Sequence, residues 1–186
     1  MTLDMRISKL VSLLCFSLLL GSASLTSTQA QLFQPEENEV INPVRDVNQL
    51  IYRGKRADAL ALAEKEIENN PKNVQLRFIR GVILSDLKRN KEAKDAFEEL
   101  IREYPEIAEP YNNLAVLYAG EGNLGRAKEL LEQALSNNAK SFTTYNNLGD
   151  VYLALAAQSY GEALKLSPKS KNTKTKLETI RELLSK

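Results

Sequence analysis

Few side chains of this sequence could act as an acid, a base, a nucleophile or a metal ligand. The 186 residues include no histidine and a single cysteine, Cys15. Histidine is the commonest general base and a common zinc ligand, so its absence excludes Ser-His and Cys-His pairs and histidine-based metal sites. No phosphate-binding glycine loop occurs, and the glutamates fall at helical surface positions. The sequence therefore predicts no catalytic residues, no cofactor and no metal, so we do not expect an enzyme.

The polar groups that could recognise a ligand are paired asparagines, Asn112-Asn113 and Asn146-Asn147. An asparagine amide offers both a donor and an acceptor, so it can pair with the backbone of an extended peptide. The alternative is that Asn113 and Asn147 satisfy backbone groups of their own helices and loops.

The overall composition is that of a globular protein that does not bind nucleic acid. Hydrophobic residues make up 43% of the chain and charged residues 26%, which is typical of a folded domain. There are 25 Lys and Arg residues against 24 Asp and Glu residues. Binding to nucleic acid requires a basic excess or patch, so this balance argues against it.

The first thirty residues have the layout of a secretory signal peptide. A basic start with Arg6 and Lys9 precedes an apolar core at residues 10–20 and then a small, polar stretch. This core is about half the length needed to span a bilayer, which disfavours a membrane anchor. We expect cleavage after Ala30, with Ala23 as the alternative, so that the chain meets the membrane only through this transient segment.

The compartment predicted for the mature chain is the bacterial periplasm. Cys15 follows Leu14, where a lipoprotein signal needs a small residue, so lipidation is disfavoured. The mature chain would lack cysteine pairs and glycosylation acceptors, which many eukaryotic secreted domains carry. Residues 31–39 form a polar linker, in which Leu32 and Phe33 could fold back onto the first repeats or remain a loose tail.

The rest of the sequence repeats with a period of 34 residues. Small residues recur at this spacing in two sets, and prolines recur in a third. These sets are Val47, Gly81, Ala115 and Gly149; Ala59, Ala93 and Ala127; and Pro71 and Pro105.

The repeat resembles the tetratricopeptide-repeat (TPR) family. The best match is Tyr111-Asn-Asn-Leu-Ala-Val-Leu-Tyr118, followed by Gly122-Asn-Leu, Ala127 and Ala134-Leu135. The resemblance covers residues 40–168 and implies an all-α fold, a right-handed solenoid of antiparallel helix pairs. Small residues allow neighbouring helices to approach closely, and Gly54 and Gly122 end first helices in a left-handed turn. Lys88 replaces this glycine in the second repeat.

Three repeats are complete, at residues 40–73, 74–107 and 108–141, and a fourth is shortened to 142–168. Its proline is expected near position 173 but stands at Pro168, and no residue that favours a turn lies between Asp150 and Gly161. The apolar spacing continues through this gap. We therefore predict one fused helix at residues 143–167; the alternative is a tight hairpin around residues 154–156.

The last segment, residues 169–186, is predicted to contain a capping helix that covers the exposed end of the solenoid. Leu177, Ile180, Leu183 and Leu184 lie on one face of it. A basic run begins at Lys165 and ends at Lys176, and it is interpreted as a solvated surface, with contact to an anionic lipid or polymer as the alternative.

The resemblance implies that a partner binds on the concave face, which the first helix of each repeat lines. The predicted lining is Val44, Arg45, Asn48 and Ile51 in the first repeat, Phe78, Ile79, Val82 and Ser85 in the second, Asn112, Asn113 and Val116 in the third, and Asn146, Asn147 and Asp150 in the fourth. The family's clamp for terminal carboxylates needs several basic residues. Only Arg45 fits that role, so that specificity is not carried over.

These observations predict an exported scaffold for protein–protein interaction that binds a peptide or helix of its partner and serves the assembly of a cell-envelope complex. The alternative is a homodimer-forming structural subunit in which the fused helix at 143–167 exposes apolar surface to a second copy.

Overall fold

The computed structural model describes residues 42–185, and this part of the chain folds into eight α-helices without a strand. The helices are α1 Pro43–Tyr52, α2 Arg56–Asn69, α3 Val74–Asp86, α4 Asn90–Glu103, α5 Ala108–Gly120, α6 Leu124–Asn137, α7 Phe142–Leu166 and α8 Lys171–Leu184. The predicted all-α class is confirmed. The predicted signal peptide, the whole linker at residues 31–39, residues 40–41 and Lys186 lie outside the described residues. Within them, no helix has the length and apolarity needed to cross a membrane.

Polar side chains fix where most of the first helices begin. Asn42 accepts a hydrogen bond from the backbone amide of Arg45, and Asn73 does the same for Leu76. Serines play this part later in the chain, at the starts of α7 and α8. Each cap satisfies an amide that the helix itself leaves unpaired.

The turns that join the two helices of a repeat use one backbone geometry three times. Gly54 and Gly122 have φ of +74° and +80°, and Lys88 has φ of +62°. These residues stand 34 positions apart, and each ends a first helix. The left-handed turns predicted at Gly54 and Gly122 are confirmed, and Lys88, where the second repeat departs from glycine, adopts the same geometry.

The helices form two layers. Each first helix contacts the next first helix, as α1 does with α3, α3 with α5, and α5 with α7. Within residues 42–185 the second helices α2, α4 and α6 contact first helices but not one another. The first helices therefore form the tightly spaced inner layer of the solenoid.

The core follows the repeat. Ala59, Ala93 and Ala127 are each fully buried, and so is Phe97. A β-carbon added to Gly81 would lie 2.6 Å from Cε1 of Phe97, closer than real atoms approach. Glycine at this position is therefore required by the close approach of α4 to α3.

The sequence also predicted a close approach of helices at Gly149, the residue in the corresponding position of the fourth repeat. This prediction is wrong. A β-carbon there would meet no atom within 4 Å. The physical reason is that α7 does not turn back: it continues without a break from Phe142 to Leu166, where the sequence predicted a fused helix at 143–167. At about 1.5 Å per residue this helix is roughly 37 Å long.

The final helix, α8, contacts only α7 within the described part of the chain. Leu177 is its one buried residue, whereas Leu183 and Leu184 are 49% and 44% exposed. Its apolar face therefore covers the second half of α7 and leaves its own end open to solvent.

Candidate functional site

Twelve of the fourteen predicted lining residues occupy three equivalent positions on the four first helices, and the other two, Ile51 and Ser85, are half-buried at a fourth position. Each position recurs every 34 residues, so the set forms three rows along the inner layer. The rows are Val44, Phe78, Asn112 and Asn146; Arg45, Ile79, Asn113 and Asn147; and Asn48, Val82, Val116 and Asp150. The structure therefore brings these residues to one side of the array, although not all of them to its surface.

The three rows are more apolar on α3 than on the other first helices. Phe78 and Val82 are half-buried, and the ring of Phe78 lies 5.9 Å from that of Phe97. Ile79 differs from expectation because it is only 9% exposed and belongs to the core. Burial of an aliphatic side chain among other apolar groups is favourable, and it leaves little of Ile79 for a partner.

Arg45, the cation predicted on the concave face, already forms an ion pair. Nε of Arg45 donates to Asp46 at 3.1 Å, and Asn48 beside it is exposed. Arg45 is the one basic residue among the predicted lining residues, so the structure, like the sequence, does not support a basic clamp for a carboxylate.

Two of the predicted asparagines connect neighbouring first helices. Nδ2 of Asn147 on α7 donates to Oδ1 of Asn112 on α5 at 2.9 Å, in a partly buried position. Asn113 instead donates to the backbone oxygen of Glu109, one turn earlier in α5. The two interpretations of the asparagines therefore apply to different residues. Asn113 bonds to the backbone of its own helix, whereas Asn112 and Asn147 bond to each other across the inner layer.

A groove of about 210 Å³ lies beside this amide bridge, between α5, α6 and α7. Its floor is apolar and its polar groups are Asn147 and Asp150. The full lining is Ala115, Val116, Ala119, Leu124, Leu131, Asn147, Asp150, Val151 and Ala154. Val116 is 50% exposed there, a large fraction for a valine in a packed array. Sequence reasoning missed Ala119 and Ala154, which stand three and four residues after predicted positions and could have been found from helical spacing.

A larger cavity, about 510 Å³, lies on α3 between the second helices α2 and α4. Both arginines that line it are paired: Arg77 donates two hydrogen bonds of 2.7 and 2.8 Å to Glu103, and Nε of Arg80 lies 3.4 Å from Glu64. Hydrogen bonding from Arg77 lowers the pKa of Glu103. A ligand here would have to replace these ion pairs, so the groove beside Asn147 is the better candidate. Within residues 42–185 no acidic cluster suited to a metal is present.

The fold and the site together define an α-solenoid whose inner layer offers an open groove. Two family models described as tetratricopeptide repeat match residues 47–108 and 84–149, which together span more than half of the chain. The chain belongs to the tetratricopeptide-repeat family, and the predicted solenoid is confirmed.

The chain is similar in sequence to part of a much longer protein. The probable UDP-N-acetylglucosamine–peptide N-acetylglucosaminyltransferase SPINDLY of Arabidopsis thaliana is 34% identical over 110 residues. This match covers 54% of the chain but only 12% of SPINDLY. The chain therefore resembles a segment of that protein and not its whole.

Two solved structures share the fold. The first TPR domain of human RPAP3 has a TM-score of 0.59 at 20% identity, covering 63% of this chain and 92% of the domain. The first TPR of Spaghetti (RPAP3), bound to the HSP90 peptide SRMEEVD, has a TM-score of 0.57 at 21% identity, covering 61% of this chain and 90% of that one.

Proposed function

We propose that this protein is a non-catalytic scaffold that binds an extended peptide segment of a partner protein in the groove beside Asn112 and Asn147. The observation that carries the proposal is the amide bridge between α5 and α7, at the edge of an apolar groove. Its solved neighbour Spaghetti binds a peptide, which supports the same class of ligand here.

The bridge leaves two polar groups available for a peptide backbone. Nδ2 of Asn112 and Oδ1 of Asn147 make no other hydrogen bond within the described residues. One is a donor and the other an acceptor, which matches the alternating amide and carbonyl groups of an extended chain. A small apolar side chain of the same peptide would enter the groove against Val116 and Ala154.

The charge of the site sets the type of peptide. The peptide bound by Spaghetti, SRMEEVD, carries three acidic residues. In the present chain the twelve positions offer one cation, Arg45, which is paired with Asp46, and the groove itself carries Asp150. We therefore propose a ligand of neutral or weakly basic character rather than an acidic tail.

The proposal also includes export of the protein from the cytoplasm. A signal peptide at residues 1–30 would deliver the scaffold to the bacterial periplasm, where it would serve the assembly of a cell-envelope complex. The test is the N-terminal sequence of the purified protein. A chain that begins at Gln31 or Ser24 and leaves with the periplasmic fraction supports export; an intact Met1 in the cytosol contradicts it.

Binding is tested by capture from envelope extract, with a matched pair of variants. Val116→Glu places a charge in the groove at a residue that is 50% exposed, and Leu183→Glu places one on α8 at a residue that is 49% exposed. Both variants are expected to fold, because neither side chain is in the core.

We expect the wild type and Leu183→Glu to retain the same partner and Val116→Glu to lose it. Peptide fragments of that partner should then shift the side-chain amide signals of Asn112 and Asn147, whereas SRMEEVD should not. Capture by all three chains would place the partner elsewhere on the molecule, and capture by none would refute the scaffold.

A further inference from the structure

The second half of α7 corresponds residue by residue to the second helix of an ordinary repeat. Shifted by 29 positions instead of 34, Ala156 matches Ala127, Tyr160 matches Leu131 and Ala163 matches Ala134. Both helices also end alike, with the backbone amides of Asn138 and Ser167 donating to Ala134 and Ala163. The five residues that are missing correspond to residues 121–125, which in the third repeat make the turn and begin α6.

Without this turn, the fourth repeat lacks the helix that would cover its first half. Tyr111 in the third repeat is 8% exposed, whereas Tyr145, its equivalent in the fourth, is 56% exposed. Ala134 is fully buried, but Ala163 is exposed. Surfaces that the repeat normally buries are therefore open in α7.

Five positions of α7 form one continuous stripe. Tyr145, Gly149 and Tyr152 in it are exposed, whereas Ala156 and Tyr160 are half-buried, and Nζ of Lys176 on α8 lies 5.5 Å from the centroid of the Tyr160 ring. Tyr145, Gly149, Tyr152, Ala156 and Tyr160 follow each other at spacings of four and three residues, which is one face of a helix. The stripe contains no charged residue. In all, α7 has three charged residues among 25, whereas the second helix α4 has eight among 14. A helix with so little charge is suited to burial on more than one side.

We propose that a second copy of the chain covers this stripe, with the two α7 helices packed antiparallel. The repeat itself identifies the occupant: at Gly81 the covering group is the ring of Phe97, and the residue at the Phe97 position of the fourth repeat is Tyr160. Tyr160 cannot reach Gly149 of its own chain, because eleven residues of straight helix place them about 16 Å apart. The Tyr160 that fills this place belongs to the other copy.

In an antiparallel pair of α7 helices, the contact between Tyr160 of one copy and Gly149 of the other forms twice. When the partner's Tyr160 lies on Gly149, the twofold axis passes between Ala154 and Leu155, and the partner's Gly149 receives Tyr160 in return. Residues 153–157 read Leu-Ala-Leu-Ala-Ala, so three alanines and two leucines lie near the axis, and the small side chain of Ala156 is the one that belongs to the stripe. Each copy thus supplies the second helix that the other lacks, and the inference does not depend on peptide binding.

Disulfide trapping tests the pairing directly. In a Cys15→Ser background, chains carrying Gly149→Cys and chains carrying Tyr160→Cys are unfolded together, refolded and oxidised. A disulfide needs α-carbons within about 7 Å. We expect dimers joined by a disulfide only in the mixture. Cross-linking of Gly149→Cys with itself would overturn the antiparallel register, and no cross-linking in the mixture would overturn the pairing.

Molar mass by light scattering tests the dimer without cysteines. Gly149→Arg fits the single chain, where a β-carbon meets nothing within 4 Å, but it blocks the partner's Tyr160. Insertion of Glu-Gly-Asn-Leu-Gly, the sequence of residues 121–125, between Ala154 and Leu155 restores a complete repeat. The control is Gly125→Arg, at an equally open glycine on α6.

We expect the wild type and Gly125→Arg, each produced from the complete coding sequence, to have twice the mass of one chain. Gly149→Arg and the insertion variant should have the mass of one chain with native helix content. A monomeric wild type would overturn the proposal, as would a dimer that survives in Gly149→Arg, since association would then use another surface.

Discussion

At the level of single residues, matched pairs of side chains tune how closely two helices approach. The second repeat combines Gly81 with Phe97, and the third has Ala115 and Leu131 in the same two positions. A larger residue on one helix is thus accompanied by a smaller residue on the other. This reciprocity is a consequence of close packing, because the volume between two helices is fixed.

Substitution of Gly81 tests this reciprocity. Gly81→Ala should lower the free energy of unfolding by about 1–3 kcal/mol, because the new methyl group overlaps the ring of Phe97. Adding Phe97→Leu should recover part of the loss, since it recreates the pair of the third repeat. Urea unfolding followed by circular dichroism measures both. Gly125→Ala, at an open glycine, should instead be neutral or stabilising by up to about 1 kcal/mol.

The ion pair between Arg77 on α3 and Glu103 on α4 predicts how acid affects the free energy of unfolding. Hydrogen bonds from Arg77 lower the pKa of Glu103 below its ordinary value of 4.5. The unfolded chain therefore binds the proton more readily, so this contribution to stability is present above pH 4.5 and is lost as the pH falls through the folded pKa.

Unfolding curves from pH 6 to pH 3 measure this effect. The wild type should be more stable than Glu103→Gln at pH 6, and the difference should shrink on acidification. Glu106→Gln serves as control, because Glu106 forms no ion pair within the described residues. A constant difference between wild type and Glu103→Gln would show that Arg77 is not responsible.

At the level of helices and turns, one backbone conformation is occupied by two kinds of residue. Lys88 has the left-handed geometry of Gly54 and Gly122, which is unfavourable for a residue with a side chain by roughly 1 kcal/mol. Lys88→Gly should therefore raise the free energy of unfolding by about this amount. The reciprocal Gly122→Lys should lower it similarly. Thermal and urea unfolding check both, and equal effects of the same sign would contradict the conformational argument.

Most of these elements could be predicted from the sequence, because the period of 34 residues fixes which positions are equivalent. The positions of Gly54, Lys88 and Gly122 indicated the turns, and the missing turn near residue 155 indicated a fused helix. The sequence failed at Gly149, where the repeat implies a close contact that the fused helix removes. A pattern records which residues are equivalent, but not whether the chain brings a neighbour to each of them.

The candidate site was predictable to a lesser degree for a related reason. Helical spacing placed fourteen residues on the inner side of the first helices, but the depth of each one depends on its neighbours. Ile79 is drawn into the core, and Asn113 bonds to its own helix. The bridge from Asn147 to Asn112 joins residues 35 positions apart, and no local pattern in the sequence encodes such a pair.

At the level of the whole molecule, stability is expected to be local, because each helix contacts only near neighbours. Removal of residues 169–186 deletes α8, which contacts α7 and no other described helix. Hydrogen exchange should then show weaker protection in the second half of α7 and unchanged protection in α1 to α4. Loss of protection throughout the array would instead mean that the solenoid unfolds as one cooperative unit.

The shortened fourth repeat also has a meaning in genetic terms. A single in-frame loss of five codons would be enough to shorten a complete repeat to the length of the fourth one. Such a loss would join two helices into one rod like α7 and leave the residues on either side of the turn unchanged. Under the proposed pairing, the length of the coding sequence determines whether the chain is a monomer or a dimer, and an insertion of the same five codons would restore the monomer.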